Sequence, residues 1–182
     1  MGFGSAQGNI GAEVRDGVTN AIRTIDYQHH EIHAGSAFTV SKVITVPAGL
    51  KAWLLITTPN SDKWAHMTFS VTCDAAYTST FYEGPDYAGG TGVLEVNHDR
   101  NSLTAATTTV THTPSENSAA GGEGTALWSF QGGASHPAST QVSSGSRGEF
   151  ILKQNTLYLL EIVATENDIA YFQLDWYEHT NI

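Results

Sequence analysis

The fold is decided by the stretch LYLLEIVATENDIAYFQLDWYEHT, residues 157–180, which predicts two long β-strands joined by a polar turn. In residues 157–164 both faces of the predicted strand are largely apolar. In residues 169–176 every second residue is apolar, so this strand has one apolar face and one mixed face. The two strands predict an all-β protein.

The same period of two continues upstream of this stretch. Gly- and Pro-containing turns separate the segments, and the chain holds roughly eight to ten strand candidates with at most one helix. Units of alternating strand and helix would need crossover helices, which the pattern lacks. The sequence therefore predicts an antiparallel β-sandwich or jelly-roll-like fold. The upstream candidates are 38–46, 52–56, 66–72, 77–82, 93–96, 107–112 and 126–130.

A chain of 182 residues predicts one domain with a core of its own. Residues 1–34 are predicted to form an N-terminal arm, either a flexible tail, a short helix or an extended segment, because apolar residues recur at helical spacing between 14 and 25 among helix-weakening ones. Residues 35–182 are predicted to form the β-sandwich. Two segments of low complexity, 115–124 and 132–148, are expected to be exposed loops.

Composition argues against several classes of partner. The formal net charge is −10, with only 8 Lys and Arg residues, so binding to nucleic acid is not expected. No apolar run is long enough to cross a bilayer and no signal pattern is visible, so no membrane partner is expected. Cys73 is alone, which excludes an intrachain disulfide and predicts a small buried residue in a strand.

One motif groups three imidazoles and a carboxylate, His29-His30-Glu31-Ile32-His33. On a helix His29 and His33 would share a face, as in a zinc site, but the spacing does not match that of metalloproteases. We favour a polar strand here, with no metal and no cofactor. No nucleophile elbow or phosphate-binding loop is present either, so no catalytic residue and no enzymatic activity are expected. A small cupin-like metalloenzyme would depend on the histidines alone.

Four segments together resemble a family of small virion proteins of tailed bacteriophages. They are residues 25–33, 97–102, 151–158 and 176–180, where the chain reads WYEHT. The resemblance implies a capsid decoration (cement) protein with a jelly-roll-like body, made in the cytoplasm of the bacterial host and placed on the capsid exterior. It also implies the major capsid protein as partner and a homotrimer as the assembly.

On this hypothesis, contacts with the capsid or a neighbouring subunit come from the arm and from the mid-chain motif. The predicted contact residues are Tyr27, His29, His30, Glu31, His33, Arg100 and Asn101. The alternative is a host-surface or carbohydrate-binding module of a head or tail fibre, with aromatic residues at loop tips as its binding platform. The candidates for such a platform are Trp64, Tyr82, Tyr87 and Trp128.

Overall fold

The structure is a computed structural model, and it describes residues 27–113, 115–116, 122–133, 141–143 and 148–180. Within these ranges there is one helix, α1 (Tyr27–His33). The strands are β1 (Ala37–Val46), β2 (Lys51–Thr57), β3 (Lys63–Cys73), β4 (Tyr77–Glu83), β5 (Tyr87–Ala88), β6 (Thr91–Gly92), β7 (Val96–Asn97), β8 (Thr109–His112), β9 (Ser115–Glu116), β10 (Thr125–Gly132), β11 (Gln141–Ser143), β12 (Phe150–Ile151), β13 (Leu157–Ala164) and β14 (Asp168–Thr180).

Two six-stranded antiparallel sheets pack face to face. Sheet I has the order β11-β3-β14-β1-β7, with β12 also pairing with β3, and sheet II has the order β10-β4-β13-β2-β8-β6. Each sheet contains a set of four adjacent strands, β11-β3-β14-β1 in sheet I and β10-β4-β13-β2 in sheet II. When these eight strands alone are numbered from 1 to 8 along the chain, the two sets have the orders 6-3-8-1 and 5-4-7-2. This is the connectivity of a jelly roll, so the predicted antiparallel, jelly-roll-like sandwich is confirmed.

The two C-terminal strands do not pair with each other. β13 lies between β4 and β2 in sheet II, and β14 lies between β3 and β1 in sheet I. The polar turn therefore carries the chain from one sheet to the other, and the inward side chains of both strands meet in one core. Leu159 faces away from that core but is covered by Tyr87 and Leu55, which explains why both faces of β13 are apolar.

Three predictions need correction or fall outside the described residues. Residues 29–33 belong to a helix and not to the favoured strand. β9 and β11 lie inside the two segments expected to be loops, because short edge pairings with β5 and β3 order them. The possible helix at 14–25 is outside the described residues. The prediction for Cys73 is confirmed, since it is buried in β3.

Gly35 ends α1. Its N–H donates to the carbonyl of Ile32 (3.0 Å), and the N–H of Ser36 donates to the carbonyl of Glu31 (3.0 Å), which is the Schellman pattern. The pattern requires a left-handed residue, and Gly35 has φ +71°. A side chain here would also clash with Ser102, so the glycine lets the helix end pack against the loop after β7.

Candidate functional site

The structure brings together the two groups of residues that the sequence predicted as contacts. Asn97, at the end of β7, donates its side-chain N–H to the carbonyl of Gly35 (2.8 Å), 62 residues away along the chain. The N–H of His98 donates to the carbonyl of Ala37 (2.9 Å). The loop that carries Arg100 and Asn101 is thus fixed against the end of the helix that carries the histidines.

The predicted contact residues differ in exposure. His29, His30 and His33 are exposed on α1, and Arg100 and Asn101 are exposed on the loop. Glu31 is buried and accepts a hydrogen bond from the hydroxyl of Ser36, so its carboxylate serves the helix end and does not lie on the surface. Tyr27 is the first residue of α1, and its side chain is outside what the structure describes.

Two exposed leucines on the same loop were missed by sequence reasoning. Leu94 is 78% exposed and Leu103 is 101% exposed, on either side of Arg100 and Asn101. Both lie in the segment between β6 and β8. We call the exposed histidines of α1 together with loop residues 94–103 the α1–loop surface. No periodicity marks these leucines, because the segment that carries them is largely irregular.

Glu178 holds the far side of this loop. It is 3% exposed, and its carboxylate accepts hydrogen bonds from the N–H of Thr107 (2.9 Å), the hydroxyl of Thr107 (2.6 Å) and the N–H of Thr108 (2.7 Å). The indole N–H of Trp176 donates to it as well (3.1 Å). Because charge-assisted hydrogen bonds are about twice as strong as neutral ones, this carboxylate is a clamp between the last strand and the loop.

A cleft of about 400 Å³ lies beneath α1. Its lining mixes apolar and polar side chains, and it includes Gln28 and Ile32 from the helix with His66, His98, Asp175 and Tyr177. The imidazole Nε2 of His98 is 3.6 Å from a carboxylate oxygen of Asp175. The cleft has the size and lining of a small-ligand site.

One end of the cleft holds a cluster of hydrogen-bonding groups. The imidazole Nδ1 of His66 is 2.8 Å from a carboxylate oxygen of Glu149, and the hydroxyl of Tyr177 is 3.1 Å from both. The Nε2 of His66 is 2.8 Å from the Nε2 of His179. Sequence reasoning missed this cluster because its members are far apart along the chain. The register of β3 with β14 places His66 opposite Tyr177.

The aromatic residues considered for sugar binding are tied to packing. Tyr87 is buried on the outer face of sheet II, with Tyr82 packed against the same group. Trp128 packs against the main core, and Trp64 is half-buried in β3. In the described part of the chain, no group of three or more His, Cys, Asp or Glu residues is arranged to hold a metal ion.

A scan against protein-family models and searches of curated proteins and of solved structures found no match for this chain. Among the residues that the structure describes, no helix has the length and apolar character to span a membrane.

Proposed function

We propose that this protein is a structural component of a tailed-phage virion that binds the outer surface of the capsid and stabilises the lattice of the major capsid protein. The observation that carries the proposal is the α1–loop surface. Leu94 and Leu103, which are 78% and 101% exposed, flank Arg100 and Asn101 along the chain, in the segment that Asn97 fixes to the end of the arm helix. Apolar side chains rimmed by polar ones are typical of a protein-binding surface.

The supports beneath this surface favour a rigid contact. Asn97 holds one side of the loop to Gly35, and Glu178 holds the other side to the last strand. A surface that is ordered before binding loses less conformational entropy when it binds, so more of its contact energy goes into affinity. Binding only to the assembled lattice would stabilise that lattice by mass action.

The acidic character of the chain suits a position outside the shell. Its formal net charge of −10 opposes binding to packaged DNA. We propose a homotrimer as the form that binds, which sedimentation equilibrium of the purified protein tests directly. No catalytic residue belongs to this proposal.

The deciding experiment measures binding to expanded capsids that lack the protein, by cosedimentation, and measures the temperature at which those capsids release DNA. The wild-type chain should bind saturably and raise the release temperature. Burying one leucine is worth about 1.5–3 kcal/mol, so Leu103→Ser should weaken binding roughly 10- to 100-fold. Leu94→Ser should weaken binding in the same direction.

A matched control comes from Leu50, which is 57% exposed in the turn after β1. β1 has 10 residues and begins beside α1, so Leu50 lies roughly 30 Å from the α1–loop surface at about 3.3 Å per residue. Leu50→Ser should leave capsid binding unchanged. A chain beginning at Ala34 tests the arm as a whole. No saturable binding by the wild-type chain would reject the capsid role.

The cleft beneath α1 favours a second candidate, a host-surface or carbohydrate-binding module. Its aromatic and carboxylate lining, including Tyr177 and Asp175, suits a polyhydroxylated ligand. This candidate predicts binding to host cells or to their surface glycans, with loss on Asp175→Asn and no effect of Leu103→Ser. The two substitutions therefore separate the two functions.

A further inference from the structure

His66 and His179 face each other through one ring nitrogen of each side chain. Their Nε2 atoms are 2.8 Å apart, and the rings belong to neighbouring strands, with centroids separated by 4.5 Å. A neutral imidazole carries one hydrogen on one of its two nitrogens, and the other nitrogen has a lone pair. The partners of the two Nδ1 atoms determine which form is present.

Both Nδ1 atoms face oxygen acceptors. The Nδ1 of His179 is 3.0 Å from the backbone carbonyl oxygen of Thr180, which can only accept, so this nitrogen carries a hydrogen. The Nδ1 of His66 is 2.8 Å from the carboxylate of Glu149, which is the stronger acceptor among its neighbours, and it donates there. In their neutral forms, both rings thus direct Nε2 lone pairs at each other.

We propose that His66 and His179 form a binding site for a divalent transition-metal ion, of the Zn²⁺ or Ni²⁺ kind, through their Nε2 atoms. Histidine ligands of metals usually donate the other ring N–H to a carboxylate or a backbone carbonyl, and Glu149 and Thr180 supply one of each. Neither ring has to change its tautomer to bind the ion.

The separation of the nitrogens is close to what an ion needs. Two nitrogens at about 2.0–2.1 Å from one ion stand roughly 2.9 Å apart at a right angle and roughly 3.3 Å apart in a tetrahedron. The observed 2.8 Å therefore requires only a small opening of the pair. His66 lines the cleft beneath α1 and His179 is partly exposed, so the pair lies within reach of solvent.

A bound ion would connect two neighbouring strands near their ends. His66 lies in β3 and His179 lies in β14, where His179 pairs with Trp64. The protein supplies two ligands, so the affinity should be moderate. It should fall as the pH is lowered, because protons compete with the ion for the imidazole nitrogens.

The test uses the untagged full-length chain, freed of metal with a chelator and titrated with Zn²⁺ and then Ni²⁺ at pH 7.5 by isothermal calorimetry. The expected result is one ion per chain. His179→Ala should abolish binding, and Glu149→Gln should weaken it roughly 10- to 100-fold. His179 and Glu149 are not fully buried, so both variants should fold, and circular dichroism checks this.

A second histidine pair supplies the matched control. His29 and His33 stand one helical turn apart on α1 with their Nε2 atoms 3.0 Å apart, and both are exposed. Because this separation would also suit an ion, the double variant His29→Ala with His33→Ala decides between the two pairs, and it should keep the ion. Loss of binding in this double variant, or binding that survives His179→Ala, would overturn the assignment. No binding of either ion at about 100 µM would overturn it as well and would leave a shared proton as the group between the rings.

Discussion

Replacing Glu178 should reveal how much one buried carboxylate contributes to this fold. Its two oxygens divide the donors between them. One accepts from the N–H of Thr108 and the indole N–H of Trp176, and the other from the N–H and hydroxyl of Thr107 at its shortest contacts. Trp176 and Thr108 are themselves buried, so these donors have no solvent to replace the carboxylate.

The loss of folding free energy on substitution can be estimated from these donors. In Glu178→Gln, the amide nitrogen should take the position nearer Thr107, because that hydroxyl can rotate and accept a hydrogen bond from it. The N–H of Thr107 then keeps only its longer contact, 3.1 Å to the other oxygen, and the charge is lost, for a cost of about 2 kcal/mol. Glu178→Ala removes all of the bonds and leaves a small cavity, for about 4 kcal/mol. A folded domain has only about 5–15 kcal/mol in total.

Urea unfolding followed by tryptophan fluorescence measures both losses. At about 2 kcal/mol per molar urea, Glu178→Gln should lower the midpoint by about 1 M and Glu178→Ala by about 2 M. Glu166→Gln, at an exposed position of the turn before β14, is the control and should change the midpoint by less than about 0.3 M. A Glu178→Ala midpoint within the range of this control would refute the clamp.

Three further outcomes test the core and the ionisable groups. Burial, followed by the hydrogen bond to Asp168, raises the pKa of Cys73 to about 12, so the native protein should resist thiol reagents at pH 8 and react after unfolding. Leu54→Ala, at a position with no exposure, should cost about 3 kcal/mol in urea unfolding, whereas Leu50→Ala should cost less than about 0.5 kcal/mol. The pKa of Asp168 is lowered mainly by the hydrogen bond that its carboxylate accepts from the N–H of Ala75. A carboxylate whose pKa is lowered by folding stabilises the fold at a pH above its pKa in the unfolded chain, and this contribution is lost as the pH falls. Asp168→Asn should therefore lower the melting temperature at pH 7 and lower it much less near pH 2.

The strands could be predicted because their cause is local. Period-two alternation in β1, β3 and β14 reflects one face directed at the core and one face directed outward. The exceptions lie beneath α1, where Ala37, His66 and Tyr177 of the outward face are buried as well. The helix at 27–33 was missed for a local reason too. Gly35 was a visible helix-ending signal, but five polar residues among seven gave α1 too little apolar periodicity to predict a helix.

The candidate site could be predicted only in part, because it depends on tertiary register. The histidine motif and Arg100 could be chosen from the sequence. Their common location follows from the bond between Asn97 and Gly35, and no sequence spacing encodes it. The pairing of His66 with His179 across 113 residues is likewise a consequence of how β3 aligns with β14.

A chain of polar contacts connects the two halves of the α1–loop surface. Glu31 accepts from the hydroxyl of Ser36, and the carbonyl of Ser36 accepts from the N–H of Glu178 (2.9 Å). Glu178 in turn binds Thr107 and Thr108 at the end of the loop. A change at Glu178 should therefore loosen the loop even though its side chain is buried and cannot touch a partner.

This connection gives a last prediction for capsid binding. At a temperature where Glu178→Gln remains folded, its affinity for capsids should still fall, because the loop must then be ordered on binding at a cost of about 0.5–1.5 kcal/mol per immobilised side chain. If Leu94 and Leu103 both have to be ordered when the protein binds, the affinity for capsids should drop by roughly a factor of 5 to 100. Hydrogen exchange of the Thr107 and Thr108 amides measures the loosening independently. Faster exchange with unchanged affinity would separate the clamp from the binding surface and would show that the loop does not contact the capsid.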